Sequence, residues 1–314
     1  MSTAVVGSAN LDLVYRVDRI PSPGETVLAT SFTAVPGGKG NNQAVAAARA
    51  GSDVTFVVAL GRDTAGDRLA EEAREAGVRV LDRRVDAPTG SAVITVDAAG
   101  ENSIVVDSGA NASLISLTEG EREAVAAADV LLLQLETPLD TVLAAAVAAH
   151  AAGTLVVLNA APVRDLPAAL LEHVDLLIVN EHEAGLLAPA ASSAEAAAAE
   201  LASAGRSVVL TLGGSGSLVL AAGGSPVLVP AHRVEVVDTT GAGDTFCGAL
   251  AAELDRSGVV RRGAAERPGP DLTAALVAAA RFASAAAALS VQRPGAVPSI
   301  PTLEEIRAFV ADRR

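Results

Sequence analysis

The chain has 314 residues, enough for one large domain with a substantial core. Half of the residues are hydrophobic but only 2% are aromatic, so the core must be built from Ala, Val and Leu, and rings on which nucleic-acid bases could stack are scarce. A formal charge of −14 repels phosphate backbones and anionic membrane surfaces alike, and the single cysteine, Cys247, excludes an intramolecular disulfide framework and a multi-thiolate metal site.

The N-terminal stretch MSTAVVGSANLDLVYRV lacks the basic start and long apolar run of a secretory signal, and a reducing cytoplasm suits the cysteine usage. In chain order, TAVVGS reads as a buried strand and residues 27–35 as helix-poor, β-branched chain. QAVAAARAG then reads as a helix closed by glycine, DVTFVVAL as a strand and AGDRLAEEAREAG as a second helix. The segment SAVITVDAAGENSIVV, 91–106, predicts a hairpin turning at Ala98, Ala99 and Gly100. DVLLLQL, TLVVLN, VDLLIVN and SVVLTLG predict further buried strands, and TVLAAAVAAHAAG a helix. Residues 142–163 are apolar but broken by His150, Gly153, Asn159 and Pro162, which suits helix, turn and strand better than a membrane span. The Ala-rich run 188–204 reads as a surface helix, VEVV at 234–237 as a strand, and TLEEIRAFVADRR as a terminal helix opened by Thr302 and Glu305 at capping-box spacing.

Strands alternating with helices imply βαβ units: an α/β fold, a mostly parallel sheet covered by helices on both faces. The two β-rich exceptions, about 11–36 and 88–108, predict a small β-lid on a single domain spanning 1–314. In such folds ligands bind beyond the carboxyl ends of the strands.

The strongest chemical signal is VDTTGAGDTFCGAL, 237–250. A glycine-bearing turn opening an apolar-periodic helix directs the backbone N–H groups of Gly241, Ala242 and Gly243 outward, where an anion can be held. Asp244 sits in the first turn beside that nest. A carboxylate next to an anion hole makes chemical sense as a base that removes a hydroxyl proton while the hole holds the group under attack; as an isolated feature it is also a common helix-start acid. A second signal is GGKGNN, 37–42, whose Lys39 is the only lysine among 23 basic residues. Arginine replaces a surface lysine at little cost, but its planar guanidinium does not replace a compact ammonium in a tight loop. The bland alternative is a chance survivor on a solvated turn. Neither stretch is a Walker A loop, since Asn follows GGKG, nor a dinucleotide fingerprint, since Phe246 takes the last glycine position.

GGKGNNQA together with DTTGAGDTF resembles the paired signatures of the ribokinase family of sugar kinases, also called the phosphofructokinase-B family. The resemblance runs along nearly the whole chain through GSANLD, PSPGETV, GRD at Gly61, PTGSA, GEN at Gly100, GAN at Gly109, QLE at Gln134, VNEHEA, TLGGSG and PGAVPSIP. It implies a three-layer ribokinase-like fold and an ATP-dependent kinase that phosphorylates the 5-hydroxyl of D-ribose. By resemblance, Asn10, Asp12, Gly38, Lys39, Asn42 and Glu136 bind the sugar with Asp244, and Lys39 also reaches the transferred phosphoryl. Gly37 would let the backbone approach the sugar. Read alone, Glu136 is a capping acid before Thr137.

The same resemblance assigns Asn180, Thr211, Gly213, Gly216, Gly243 and Ser284 to ATP, with Gly216 turning a hairpin beside the cleft, and Glu183 to Mg2+ through water. It assigns Asp238, Thr240, Ser290, Arg293, Gly295 and Ser299 to an activating monovalent cation such as K+. His182 reads as a solvated helix-start residue and Cys247 as a small buried filler. NAAP at 159–162 stands for the family's NPAP, GGSG lacks a frequent basic residue, and Ser284 replaces a histidine, which bears on nucleotide preference. Other acceptors of the family stay open, namely deoxyribose, fructose and adenosine. A nucleoside would want rings in the lid, which offers only Tyr15 and Phe32. A non-catalytic sugar-binding regulator is the reading from another class, and a homodimer paired through the exposed lid edge is expected.

Overall fold

The computed structural model describes residues 2–203, 205–258 and 270–313. Strand β1 (Ser2–Val6) is followed by a first excursion out of the main sheet, β2 (Asn10–Arg16) and β3 (Ser31–Gly37), and a return through α1 (Lys39–Arg49) to β4 (Asp53–Gly61). Helix α2 (Thr64–Glu75) leads to β5 (Val78–Val85), and a second excursion gives β6 (Gly90–Val96) and β7 (Asn102–Asp107). Then follow α3 (Glu119–Ala127), β8 (Val130–Leu133), α4 (Leu139–Ala152), β9 (Leu155–Asn159), α5 (Ala168–Leu171) and β10 (Leu176–Asn180). The chain continues through α6 (Glu181–Leu187), α7 (Ala194–Ala202), β11 (Ser207–Thr211) and the hairpin β12 (Ser217–Leu220) and β13 (Val227–Val229). It ends in α8 (Ala242–Ser257), α9 (Pro270–Ser290) and α10 (Leu303–Ala311).

The nine-stranded sheet has the order β13-β12-β11-β10-β9-β8-β1-β4-β5, parallel from β11 to β5, with the last hairpin antiparallel. Alternation along each strand divides the core. Val5, Phe56, Val58 and Leu132 face α1, α2, α8, α9 and α10, whereas Val6, Val57, Leu131 and Leu133 face α3 to α7. The helices end as their sequences dictate. Asp63 caps α2 by accepting from the Gly66 N–H, Gly153 closes α4 at φ 80°, and Thr302 with Glu305 forms the capping box of α10. Part of α9, Leu272–Ser290, is apolar and long enough to cross a membrane by composition, but Leu276, Ala279, Ala280 and Ala283 lie in the core against α8 and the sheet. It is a core helix.

The lid is a separate four-stranded sheet, β3-β2-β6-β7, in which Tyr15 and Phe32 form a cross-strand pair with ring centroids 4.9 Å apart. The 91–106 hairpin is present with its turn at Asp97 to Gly100. Two local expectations need correction. VEVV is no strand: Val236 and Val237 are 59% and 60% exposed, and Val237 and Asp238 bond a single carbonyl, that of Val291, because no neighbouring strand offers this β-branched run a ladder. Among the described residues of the Ala-rich run 188–204, the helix is α7 alone, where the Ser193 hydroxyl caps it by accepting from the Ala196 N–H, as Pro189 and the serines break the pattern before it.

Candidate active site

The site lies at the carboxyl ends of the parallel strands, the side on which both excursions leave the sheet, the first after β1 and the second after the edge strand β5. At this junction Asn111, just after β7, acts as a clasp. Its Oδ1 accepts from the Ala9 N–H (3.0 Å), and its Nδ2 donates to the Ala9 carbonyl (3.2 Å) and to Asn10 Oδ1 (2.7 Å). Asn10 pairs in register with Gly37 on one side and Gly90 on the other, and a Cβ at Gly90 would fall 2.3 Å from Asn111 Nδ2. The GAN motif therefore orients Asn10, a role that spacing along the chain does not reveal.

Asn10 and Asp12 share one face of β2. Gly37 gives Asp12 its room: a Cβ there would lie 2.0 Å from Asp12 Oδ2. At Gly38 the backbone adopts φ 84° and passes so close to β2 that a Cβ would meet Ala9 Cα at 2.8 Å, so glycine is required on both counts. Glu136 is no helix cap, since α4 begins at Leu139 with Pro138 as its N-cap and no side-chain cap. Its Oε2 accepts from Ser8 Oγ (2.5 Å) and from the Lys39 N–H (2.9 Å), locking the GGKG turn to the end of β8.

Burial, then the nearby carboxylates of Glu136 and Asp244, raise the Asp12 pKa from 3.8 to about 7. Burial also opposes the charge of Lys39, but Asp244, Glu136 and Glu183 outweigh it and hold the ammonium above its ordinary pKa. The lone lysine is thus the counter-charge of a concentrated carboxylate site. Because the folded protein holds a proton on Asp12 that the unfolded chain releases near pH 4, the ionised form costs stability as pH rises from about 4 to about 7. Asp12→Asn is expected to raise Tm above pH 7, by a shift worth on the order of a few kcal/mol, and to lose that advantage below pH 4. Thermal melts of both proteins across this range check it; a constant difference at every pH would refute it.

Asp244 is buried at 8% exposure in the first turn of α8 and receives two side-chain amides, Asn42 Nδ2 on Oδ2 and Gln43 Nε2 on Oδ1, each at 2.9 Å. Asn42, expected to serve sugar hydroxyls, here donates to Asp244. Gly241 caps α8 in the left-handed region at φ 73°. The expectation of three outward donors needs correction at Ala242, whose N–H is tied back to the Thr239 carbonyl (3.2 Å), while Gly241 and Gly243 line the cleft. A Cβ at Gly243 would meet no atom within 4 Å, so this turn of helix opens on space that a phosphoryl group can occupy.

That cleft, about 150 Å3, is lined by Lys39, Asn159, Asn180, Glu183, Thr211, Gly241, Gly243, Asp244 and Cys247 among others. Asn180 and Glu183 form the capping box of α6, with Glu183 Oε2 accepting from the Asn180 N–H (2.9 Å), and burial raises the Glu183 pKa. Among the described residues no group of three or more His, Cys, Asp or Glu side chains is placed to hold a metal. His182 is exposed and Cys247 is buried, its thiol pushed well up by burial.

Three expected ATP residues lie outside the residues lining the cleft. Gly213 opens the turn after β11 at φ 53°, Gly216 shapes the hairpin at φ 107° with a Cβ that would strike the Val229 carbonyl at 2.1 Å, and Ser284 is buried in α9. In the expected cation loop, Asp238 accepts from Thr240 N–H (2.9 Å) and hydroxyl (2.6 Å) and from the Gly295 N–H (2.8 Å). These bonds hold its carboxyl below the usual range against the effect of burial. The hydroxyls of Ser290 and Ser299 turn to the carbonyls of Ala287 and Ala296, and Arg293 pairs with Glu305.

A family model, pfkB family carbohydrate kinase, matches residues 2–303. The chain belongs to this family. It is 40% identical to the ribokinase of Bacillus subtilis over 310 residues, 98% of each chain. Its fold is similar to that of Thermotoga maritima ribokinase, with a TM-score of 0.87, 34% identity and 99% of each chain covered. Arabidopsis thaliana ribokinase complexed with ribose and ATP gives a TM-score of 0.86 at 32% identity over 98% of each chain. The expected α/β fold and the kinase class are both borne out.

Proposed function

We propose that this carbohydrate kinase transfers the γ-phosphoryl group of ATP to the 5-hydroxyl of D-ribose, giving ribose 5-phosphate and ADP. The observation that carries the reading is the buried carboxylate of Asp244, held by two amides between the sugar-side carboxylates Asp12 and Glu136 and the open turn of α8. Asp12, Asn10 and Glu136 would hold sugar hydroxyls, each carboxylate accepting from neighbouring O–H groups. Asp244 takes the proton of the attacking hydroxyl, the oxygen forms its bond to phosphorus, and the bond to the ADP oxygen breaks. Lys39 and the N–H groups of Gly241 and Gly243 meet the charge on the transferred group, since phosphoryl transfer is mainly positioning and electrostatics.

Magnesium would be held through water by Glu183, and when bound it screens the phosphate charge. A monovalent cation between 238–240 and 290–299 would stiffen the turn that presents Gly241, whose Cβ position already abuts Ala296 at 2.9 Å. A cytoplasmic enzyme and a homodimer joined through the lid complete the reading, the latter supported by Ile104, Val105 and Val106 on β7, each more than half exposed.

Release of ADP from MgATP with D-ribose, 2-deoxy-D-ribose, D-fructose and adenosine, in potassium and in sodium buffer, tests this. Strong turnover on ribose alone, raised by potassium, is expected. Preference for another acceptor would overturn the ribose assignment, and silence on all four would overturn the kinase reading.

A further inference from the structure

Asp244 ends a buried chain of side-chain amides to which the transfer reaction as written gives no task. The Gln43 NH2 donates to Asp244 Oδ1 (2.9 Å) and to Asn159 Oδ1 (3.0 Å), while Gln43 Oε1 accepts from Gln134 Nε2 (2.7 Å). Both glutamines are 0% exposed, one on α1 and the other just after β8. An amide can be reversed with almost no change of shape, and a reversed Gln43 would turn its carbonyl on Asp244 and Asn159. Gln134 opposes that reversal, because the reversed NH2 would face the NH2 of Gln134. Gln134 is held in place beside Gly7: its Oε1 fills the space that a Cβ at Gly7 would take, 2.1 Å away, and that oxygen has no hydrogen-bond partner, so the sense of the pair is set at its other end by the Asp244 carboxylate and Asn159 Oδ1. A buried carbonyl left unpaired costs stability, so its retention calls for a use elsewhere.

We propose that Gln43, with Gln134 behind it, is a positioning residue that aims the Asp244 carboxylate. This rests on Asp244 being the base. With Asn42 on one oxygen and Gln43 on the other, the carboxylate cannot rotate about its last torsion without breaking both bonds. The other charged or titratable groups facing Asp244 are Lys39 on α1, Asp12 on β2, Glu183 on α6 and Cys247 on α8. None of them changes in the variants below, so a difference in pH profile reports the amide chain.

The test compares pH profiles of kcat for the intact enzyme, Gln43→Met, Gln134→Met and the double variant, with MgATP and D-ribose. Loss of a donor to the charged form should move the acid limb of Gln43→Met up by about one pH unit and lower the plateau kcat about tenfold. Gln134→Met should move the limb the same way by less, and the double variant should match Gln43→Met, because Gln134 acts only through Gln43. The ribose KM should stay within about twofold. If Gln43→Met does not fold, Gln43→Asn, one methylene short of Asp244, carries the same expectation. An acid limb unmoved in both single variants, or fully additive losses of kcat, would overturn the proposal. Turnover retained by Asp244→Asn would instead remove the base assignment on which it rests.

Discussion

Asp244→Asn is expected to lower kcat by about a hundredfold to ten-thousandfold, the range that a positioned general base contributes. The replacement keeps the shape but removes the lone-pair basicity; its amide oxygen can still accept from Gln43, and Asn42, whose own Oδ1 has no partner, can reverse its amide to accept from the new NH2. The loss of rate should therefore come with little change in stability, which thermal melts read. The charge change has a second effect. Because Asp244 is one of the groups that raise the Asp12 pKa, neutralising it should lower that pKa and make Asp12 a better acceptor near neutral pH. Sugar affinity should hold or improve while turnover collapses. Initial-rate assays and calorimetric titration with ribose separate the two, and a near-normal kcat would end the assignment of Asp244 as the base.

Gly37→Ala should act on binding. The added methyl falls 2.0 Å from Asp12 Oδ2 and 2.3 Å from Asp12 Cγ, so the carboxylate must leave its place. A hydrogen bond to a charged group is worth about 1.5–3 kcal/mol, which predicts a rise in the sugar KM of about tenfold to a hundredfold with a smaller change in kcat. The Asp12→Ala background supplies the control. There the methyl has no carboxylate to displace, and Gly37→Ala should add little to the KM. A further large rise in that background would show that Gly37 serves the backbone path and not Asp12.

The layout of the fold was legible because periodicity and burial agree. Runs such as DVTFVVAL are apolar on both faces, and in the structure both faces of β4 are buried under helices. The capping box at Thr302 and the turn glycine at Gly153 are local chemistry, fully specified by neighbours in the chain. VEVV misled because β-branching states only that a residue fits a pleated surface; whether a ladder partner exists is decided by distant chain. Among the site residues, Asp244, Lys39 and Gly243 were visible from local oddity: an acid beside an anion nest, and one lysine in an arginine-rich chain. All three line one cleft.

What the sequence by itself determined is therefore the alternation of strand and helix, the ends of the helices and the residue types fit for chemistry, all set by interactions within a few residues. What only the tertiary structure decided is which of them meet. Gln43, Gln134 and Asn159 are ordinary polar residues in sequence, and Asn111 is one asparagine among several. They acquire roles because α1, β8, β9 and α8 bring their amides to one buried carboxylate, and because the lid folds back to place Asn111 on Asn10. Hydrogen bonds act over about 3 Å, and no pattern along the chain encodes which groups, a hundred or two hundred residues apart, will be brought within that distance.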